Sequence, residues 1–275
     1  MTEFWNRFSR NRPAVIGLVI FIIVALTAIF GPYWYPGGPF KLVAQPFLPP
    51  AGQYLLGTDM LGRNVVAGII YGARTSLMIG LSSTALAIIV GAMIGGFAGY
   101  YGRWVDEVLM RWTEIFQTIP FFIFAILLVA VLTPSVKSVV FAIAVVSWPP
   151  MARLVRGEFM VMRNREFVEA CVGMGMSDLR VIFVHILPNC LSSVIVTGSL
   201  MVATAILTES SLSFLGLSDP NVMSWGFMVG AGREFLQRAP WLCAIPGVAI
   251  LLTVLAINLI GEGLNDALNP RLRHL

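Results

Sequence analysis

Residues 77–97 read LMIGLSSTALAIIVGAMIGGF, 21 consecutive positions without an aspartate, glutamate, lysine or arginine. About 20 apolar residues in an α-helix cross the hydrocarbon core of a bilayer, so this stretch predicts a transmembrane span. Along it, and just past its end, Gly91, Gly95 and Gly99 recur every four residues. They place a groove of small residues on one helix face, suited to close packing within the chain or against a second chain.

Working outward, further apolar runs occur at 14–30, 115–132, 139–151, 191–207 and 241–260, which predicts six spans. The run at 139–151 is short and holds Pro149 and Pro150, although residues 152–162 could carry it on as a helix into water. Tyr33, Trp34 and Tyr35 close the first run with side chains suited to the membrane interface. Arg7, Arg10 and Arg12 precede that run as in a signal peptide, but Phe30-Gly31-Pro32-Tyr33 replaces small-residue cleavage chemistry, so it reads as an uncleaved span. Residues 36–57 are rich in proline and glycine and read as an extramembrane loop leading to an interfacial helix at 59–71.

Composition agrees with these runs. Apolar residues make up 57% of the 275 positions and charged ones 12%, where a soluble chain carries about 25% charged residues. The fold class expected is therefore an all-α membrane protein with six transmembrane helices. The net charge of +4 comes with no basic run, so no nucleic-acid partner is expected; the lipid bilayer is. With the N-terminus inside, 12 of the 18 basic residues fall on cytoplasmic segments: Arg7, Arg10, Arg12, Arg103, Arg111, Arg153, Arg156, Arg163, Arg165, Arg180, Arg271 and Arg273. Six fall outside, Lys41, Arg63, Arg74, Lys137, Arg233 and Arg238. That bias matches the excess of Lys and Arg in cytoplasmic loops and predicts both termini in the cytoplasm.

Catalytic chemistry is not indicated. Cys171, Cys190 and Cys243 lie far apart, and the two histidines, His185 and His274, are distant in sequence, so neither a metal site nor a disulfide framework is expected. An ion-coupled carrier calls for ionisable residues at mid-span, and a membrane enzyme for convergent nucleophile, base or metal ligands; the sequence offers neither. No GxxxxGK[ST] loop occurs, so ATP and magnesium are not expected to bind here. Glu209 stands near the outer end of the fifth span beside Thr208, Ser210 and Ser211, where a carboxylate needs water or a partner. It reads either as part of a translocation path or gate, or as a packing bond holding the outer loop.

The longest connection without a spanning run, 153–189, is charged and cytoplasmic by the same count, and loops of that size are usually functional. Phe167, Ala170, Cys171 and Met174 follow i, i+3, i+4, i+7 spacing, which gives an apolar helix stripe suited to a partner's groove. Gly175 can end that helix in the left-handed conformation, Ser177 and Asp178 suit the start of the next, and Pro188 marks where the chain turns back into the membrane.

Read as a whole, Glu169-Ala170-Cys171, then Gly175, then Leu187-Pro188 resembles the permease signature of ABC importers: Glu-Ala-Ala, three residues, Gly, nine residues, then Ile, any residue, Leu, Pro. Cys171 stands for the second alanine and His185 for the isoleucine, in a run His185-Ile186-Leu187-Pro188-Asn189 similar to that of peptide-type permeases. Further strings carry the resemblance along the chain: Gly57-Thr58-Asp59 with Gly62-Arg63, Leu212-Ser213-Phe214-Leu215-Gly216-Leu217, Ser224-Trp225-Gly226, Ala239-Pro240-Trp241, Pro246-Gly247, and Asn258-Leu259 with Gly261. Asn64, Ala67-Gly68 and the short stretch before Met223 depart from the pattern.

The chain is thus similar to permease subunits of the dipeptide, oligopeptide and nickel transport family of ABC importers. The resemblance implies the type I importer permease fold in a bacterial inner membrane and an ATPase-docking role for Glu169, Ala170, Cys171, Gly175, Leu187 and Pro188. It also implies the partners: a second permease forming a heterodimer, two ATP-binding subunits that hold ATP and magnesium, and an extracytoplasmic solute-binding protein. Relatives carry peptides, nickel chelates, glutathione and some sugars. The expected organisation is 1–35 as N-terminal segment and first span, 36–72 as extracytoplasmic loop, 73–262 as transmembrane domain with its coupling loop at 153–189, and 263–275 as tail.

Overall fold

The apolar runs become long helices, because a backbone in hydrocarbon must satisfy its own hydrogen bonds. The computed structural model describes residue 5 and residues 8–268. Arg7, Pro270, Arg271, Arg273 and His274 lie outside the described residues. In chain order the helices are α1 (Arg12–Trp34), α2 (Val65–Tyr101), α3 (Arg103–Thr118), α4 (Phe121–Val131), α5 (Val136–Arg163), α6 (Glu166–Gly173), α7 (Asp178–Phe214), α8 (Trp225–Gly232) and α9 (Trp241–Leu268). Among the described residues, pairing between extended segments is limited to two isolated bridges, Leu42 with Arg63 and Thr58 with Asn64. Among the described residues five helices are long and apolar enough to cross a membrane, and the bent pair α3 and α4 makes six crossings if counted as one.

Two sequence readings are corrected. Residues 65–71 do not form a separate interfacial helix; they open α2, which runs 37 residues from an Asn64 cap whose side chain accepts the Val66 amide at 2.8 Å. The composition changes near Arg74, but nothing there breaks the backbone. The run 139–151 is continued over 152–162 as its sequence allows, so that α5 is one helix from Val136 to Arg163 through Pro149 and Pro150. The glycine face of α2 clamps it there. A Cβ at Gly91 would come within 2.8 Å of Trp148 O, and one at Gly99 within 2.7 Å of Arg156 O. The small-residue groove is therefore filled within the chain, and van der Waals contact at that range replaces the hydrophobic drive that lipid cannot supply.

The second correction is that the run 115–132 is not one straight span. Thr118 ends α3, Phe121 begins α4, and the two meet at 84°. Pro120 is the cause: a residue before proline is pushed out of the helical region, and Ile119 is extended at φ −84°, ψ 128°.

Successive crossings bring the start of α1 and the end of α9 to one end of the bundle. Asn11 fixes this, its side chain accepting from the Ala14 amide and donating to Asp266 at 2.9 Å. The same end carries α6. The opposite end carries residues 36–64 and α8. There Thr58 Oγ1 donates to Gln45 O at 2.7 Å, and Asp59 Oδ1 accepts the amides of Leu61 and Arg63, so the Gly57-Thr58-Asp59 string forms a self-bonded knot.

Candidate functional site

The connection 153–189 is a helical hairpin, as its helix, glycine end and following helix start predict. Residues 153–163 complete α5, the chain reverses at 164–165, and α6 follows for eight residues. After α6 the Met176 amide donates to Cys171 O at 3.2 Å and the Gly175 amide to Val172 O at 2.9 Å, with Gly175 at φ +77°. This double bond pattern is the Schellman ending, and only a residue tolerant of the left-handed region closes it cheaply. Open space surrounds Gly175, so its need for glycine is conformational rather than steric.

The stripe foreseen on α6 divides. Val168 and Cys171 are buried and pack with Tyr100, Val155, Phe159 and Val181, so Cys171 faces the chain's own core and offers nothing to a partner. Spacing alone could not show this, because the covering side chains come from helices distant in sequence. Glu169 and Ala170 are exposed, and Phe167, Val172 and Met174 leave apolar surface open, Met174 at 68%. Leu179, in the first turn of α7, is exposed as well.

Ser177 and Asp178 open α7 where expected, at the N-cap and in the first turn, whereas Pro188 does not behave as its sequence position suggests. Ser177 occupies the N-cap position without a side-chain capping bond, and the Asp178 carboxylate instead accepts from the Tyr100 hydroxyl at 2.9 Å. That bond ties the hairpin to the end of α2. Pro188 is exposed and does not turn the chain; α7 continues past it after a π-helical turn, Val181–Ile186. A widened turn accommodates a proline that would press on the carbonyl four residues back. The Leu187 amide reaches Ile182 O, and Asn189 Nδ2 covers His185 O at 2.6 Å. Leu187 itself packs against the hairpin core.

Glu209 lies toward the other end of α7 and is 1% exposed. Its carboxylate accepts from Ser213 Oγ at 2.7 Å and Ser76 Oγ at 3.3 Å, with Ser210 Oγ at 3.5 Å. Ser76 Oγ in turn accepts the Trp225 amide, and Trp225 Nε1 donates to Ile69 O at 3.0 Å. The buried carboxylate thereby fastens α8 to α2 and α7. Gly226 lets α8 sit this close, since a Cβ there would lie 2.8 Å from that of Ser213.

Residues 87–274 match the family described as the binding-protein-dependent transport system inner membrane component, and residues 1–50 the N-terminal transmembrane domain of oligopeptide transport permease C. The chain belongs to the first of these families. The di/tripeptide transport system permease protein DppC of Pseudomonas aeruginosa (strain UCBPP-PA14) is 40% identical to this permease, covering 100% of this chain and 93% of its own. The dipeptide transport system permease protein DppC of Haemophilus influenzae (strain ATCC 51907 / DSM 11121 / KW20 / Rd) is 41% identical, covering 99% and 95%. The fold is shared with a chain of the MetNI methionine ABC transporter in inward-facing form, at TM-score 0.58 and 16% identity over 71% of this chain and 93% of that one. Membership makes the chain a multi-pass transport permease subunit rather than an enzyme.

Two features of the permease escaped sequence reading. Arg156 on α5 holds Asp106 on α3 through two hydrogen bonds at 2.5 and 2.6 Å, across 50 positions with no local signature. The α3–α4 break did leave a sign, Ile119-Pro120 inside an apolar run.

Proposed function

We propose that this permease pairs with a second permease to form the translocation path for di- or oligopeptides across the inner membrane. Two ATP-binding subunits, holding ATP and magnesium, dock beneath the hairpin, and an extracytoplasmic solute-binding protein delivers the cargo. The relatives named above support the peptide cargo. The coupling role rests on one observation: α6 is a short, rigidly terminated helix at the membrane-bundle end, with Phe167, Ala170, Val172 and Met174 exposed. Glu169, Gly175, Leu187 and Pro188 shape or flank that face, whereas Cys171 supports it from inside. An apolar helix face of this kind suits a partner's groove. Closing and opening of the ATP-binding subunits would then move two permease bundles as rigid bodies between inward- and outward-open states.

Reconstitution tests this. Vesicles containing both permeases, the ATP-binding subunits, ATP and the binding protein are expected to accumulate labelled dipeptide, and to stop when any component is left out. Accumulation by the purified chain alone, driven by a proton or sodium gradient without ATP, would make it a secondary carrier instead.

A further inference from the structure

The α3–α4 break lies at mid-depth in the bundle. Phe116, just before it, meets Trp148 with ring centroids 5.2 Å apart and packs in one cluster with Ala87, Ala152 and Met201. Trp148, Ala87 and Met201 belong to the central parts of α5, α2 and α7, three helices long enough to cross a membrane. A helix interruption leaves carbonyls on one side and amides on the other without intrahelical partners. At hydrocarbon depth such groups must face protein or water, because lipid tails offer no hydrogen bonds.

Within the chain only part of that need is met. Thr118 Oγ1 donates to Ile115 O at 2.7 Å and the Phe124 amide to Pro120 O at 3.0 Å. Residues 117–123 are all exposed, and the Gln117 carboxamide has no hydrogen-bond partner among the described residues. Beside the exposed apolar Ile119, Phe121, Phe122 and Ile123, the Gln117 and Thr118 side chains and the interrupted backbone put polar groups at that depth that lipid does not satisfy.

We propose that Gln117 and Thr118, with the backbone of the break, line the water-filled path and contact the main chain of the passing peptide; the peptide cargo rests on the function proposed above. A peptide backbone alternates neutral donors and acceptors. The Gln117 carboxamide and the Thr118 hydroxyl each supply both. Such contacts would hold peptides of differing side chains equally, while the exposed Ile119 and Phe121 beside them give an apolar wall.

The test is thiol accessibility in the reconstituted full transporter, with Gln117→Cys and Thr118→Cys each compared with the parent. The parent keeps Cys171, Cys190 and Cys243 and so sets the background. Cysteine is small and both positions are exposed, so folding is not at issue; yield and assembly with the ATP-binding subunits check it. A charged, membrane-impermeant maleimide is expected to label both variants above background, and dipeptide delivered by the binding protein to slow that labelling severalfold. Labelling only by a lipid-soluble maleimide would mean the break faces lipid, and labelling by neither would mean a second permease covers it; either overturns the inference. Charged labelling that dipeptide does not slow would remove the peptide contact. Dipeptide uptake by the parent, measured in the same vesicles, separates the two readings. Uptake with inert positions sinks only this inference, and absence of uptake sinks the cargo assignment itself.

Discussion

Gly175 and Glu209 each do one physical job at the two ends of the molecule. At φ +77° with nothing within 4 Å, Gly175 has room for a side chain but not the backbone preference for one. A left-handed residue other than glycine costs about 1–2 kcal/mol, less for asparagine. Gly175→Ala is therefore expected to leave protein level unchanged while reducing peptide uptake per ATP hydrolysed, and Gly175→Asn to recover part of the loss. Equal coupling in all three proteins would show that the hairpin ending is not critical. For Glu209 the partners are hydroxyl donors. Glu209→Gln keeps an acceptor oxygen, whereas Glu209→Leu strands Ser76 and Ser213 at about 1–3 kcal/mol for an unsatisfied buried group. Thermal unfolding of the purified protein should show the larger drop for leucine; a larger drop for glutamine would contradict the clasp.

Between elements, the hairpin is held to the bundle by an apolar core and by the Tyr100–Asp178 bond. Tyr100→Phe keeps the ring and removes one hydrogen bond of about 1 kcal/mol. Amides of residues 166–176 should then exchange faster with deuterium while those in mid-α2 do not; unchanged exchange would place all of the hold in the apolar core. This scale also shows what sequence reveals. Runs such as 14–30 and 191–207 declare spans outright because hydrocarbon length is fixed, and Gly175 declared its turn because few residues take that conformation. The inward face of Cys171 and the partner of Asp178 depend on side chains from α2 and α5, many residues away, and periodicity holds no record of them. At Pro188 the proline was visible but its effect was not. A π-helical turn absorbs it, so the chain reverses at 164–165 and 174–177 instead.

For the molecule as a whole, the bundle geometry and the charge pattern bear separately on orientation. Geometry places Asn11, Asp266 and α6 at one end and residues 36–64 and α8 at the other, whichever way the bundle is inserted. Charge then chooses the direction. Arg10, Arg12, Arg103, Arg111, Arg153, Arg156, Arg163, Arg165 and Arg180 lie toward the α6 end, against Lys41, Arg63, Arg74, Lys137, Arg233 and Arg238 toward the other. Arg156 is committed to Asp106 and contributes least to the choice, yet the excess survives without it. Short loops rich in Lys and Arg stay in the cytoplasm during insertion, so the α6 end should face the cytoplasm, where the proposed ATP-binding subunits would dock, and the α8 end the outside, where the proposed solute-binding protein would. Reporter fusions after Met174 and after Leu275 are expected to give cytoplasmic signals, and a fusion after Ser218 an extracytoplasmic one. If the Ser218 and Leu275 fusions reported the same side, α9 would not cross. If all three signals were inverted, the hairpin would face away from ATP and its coupling role would fail with the orientation.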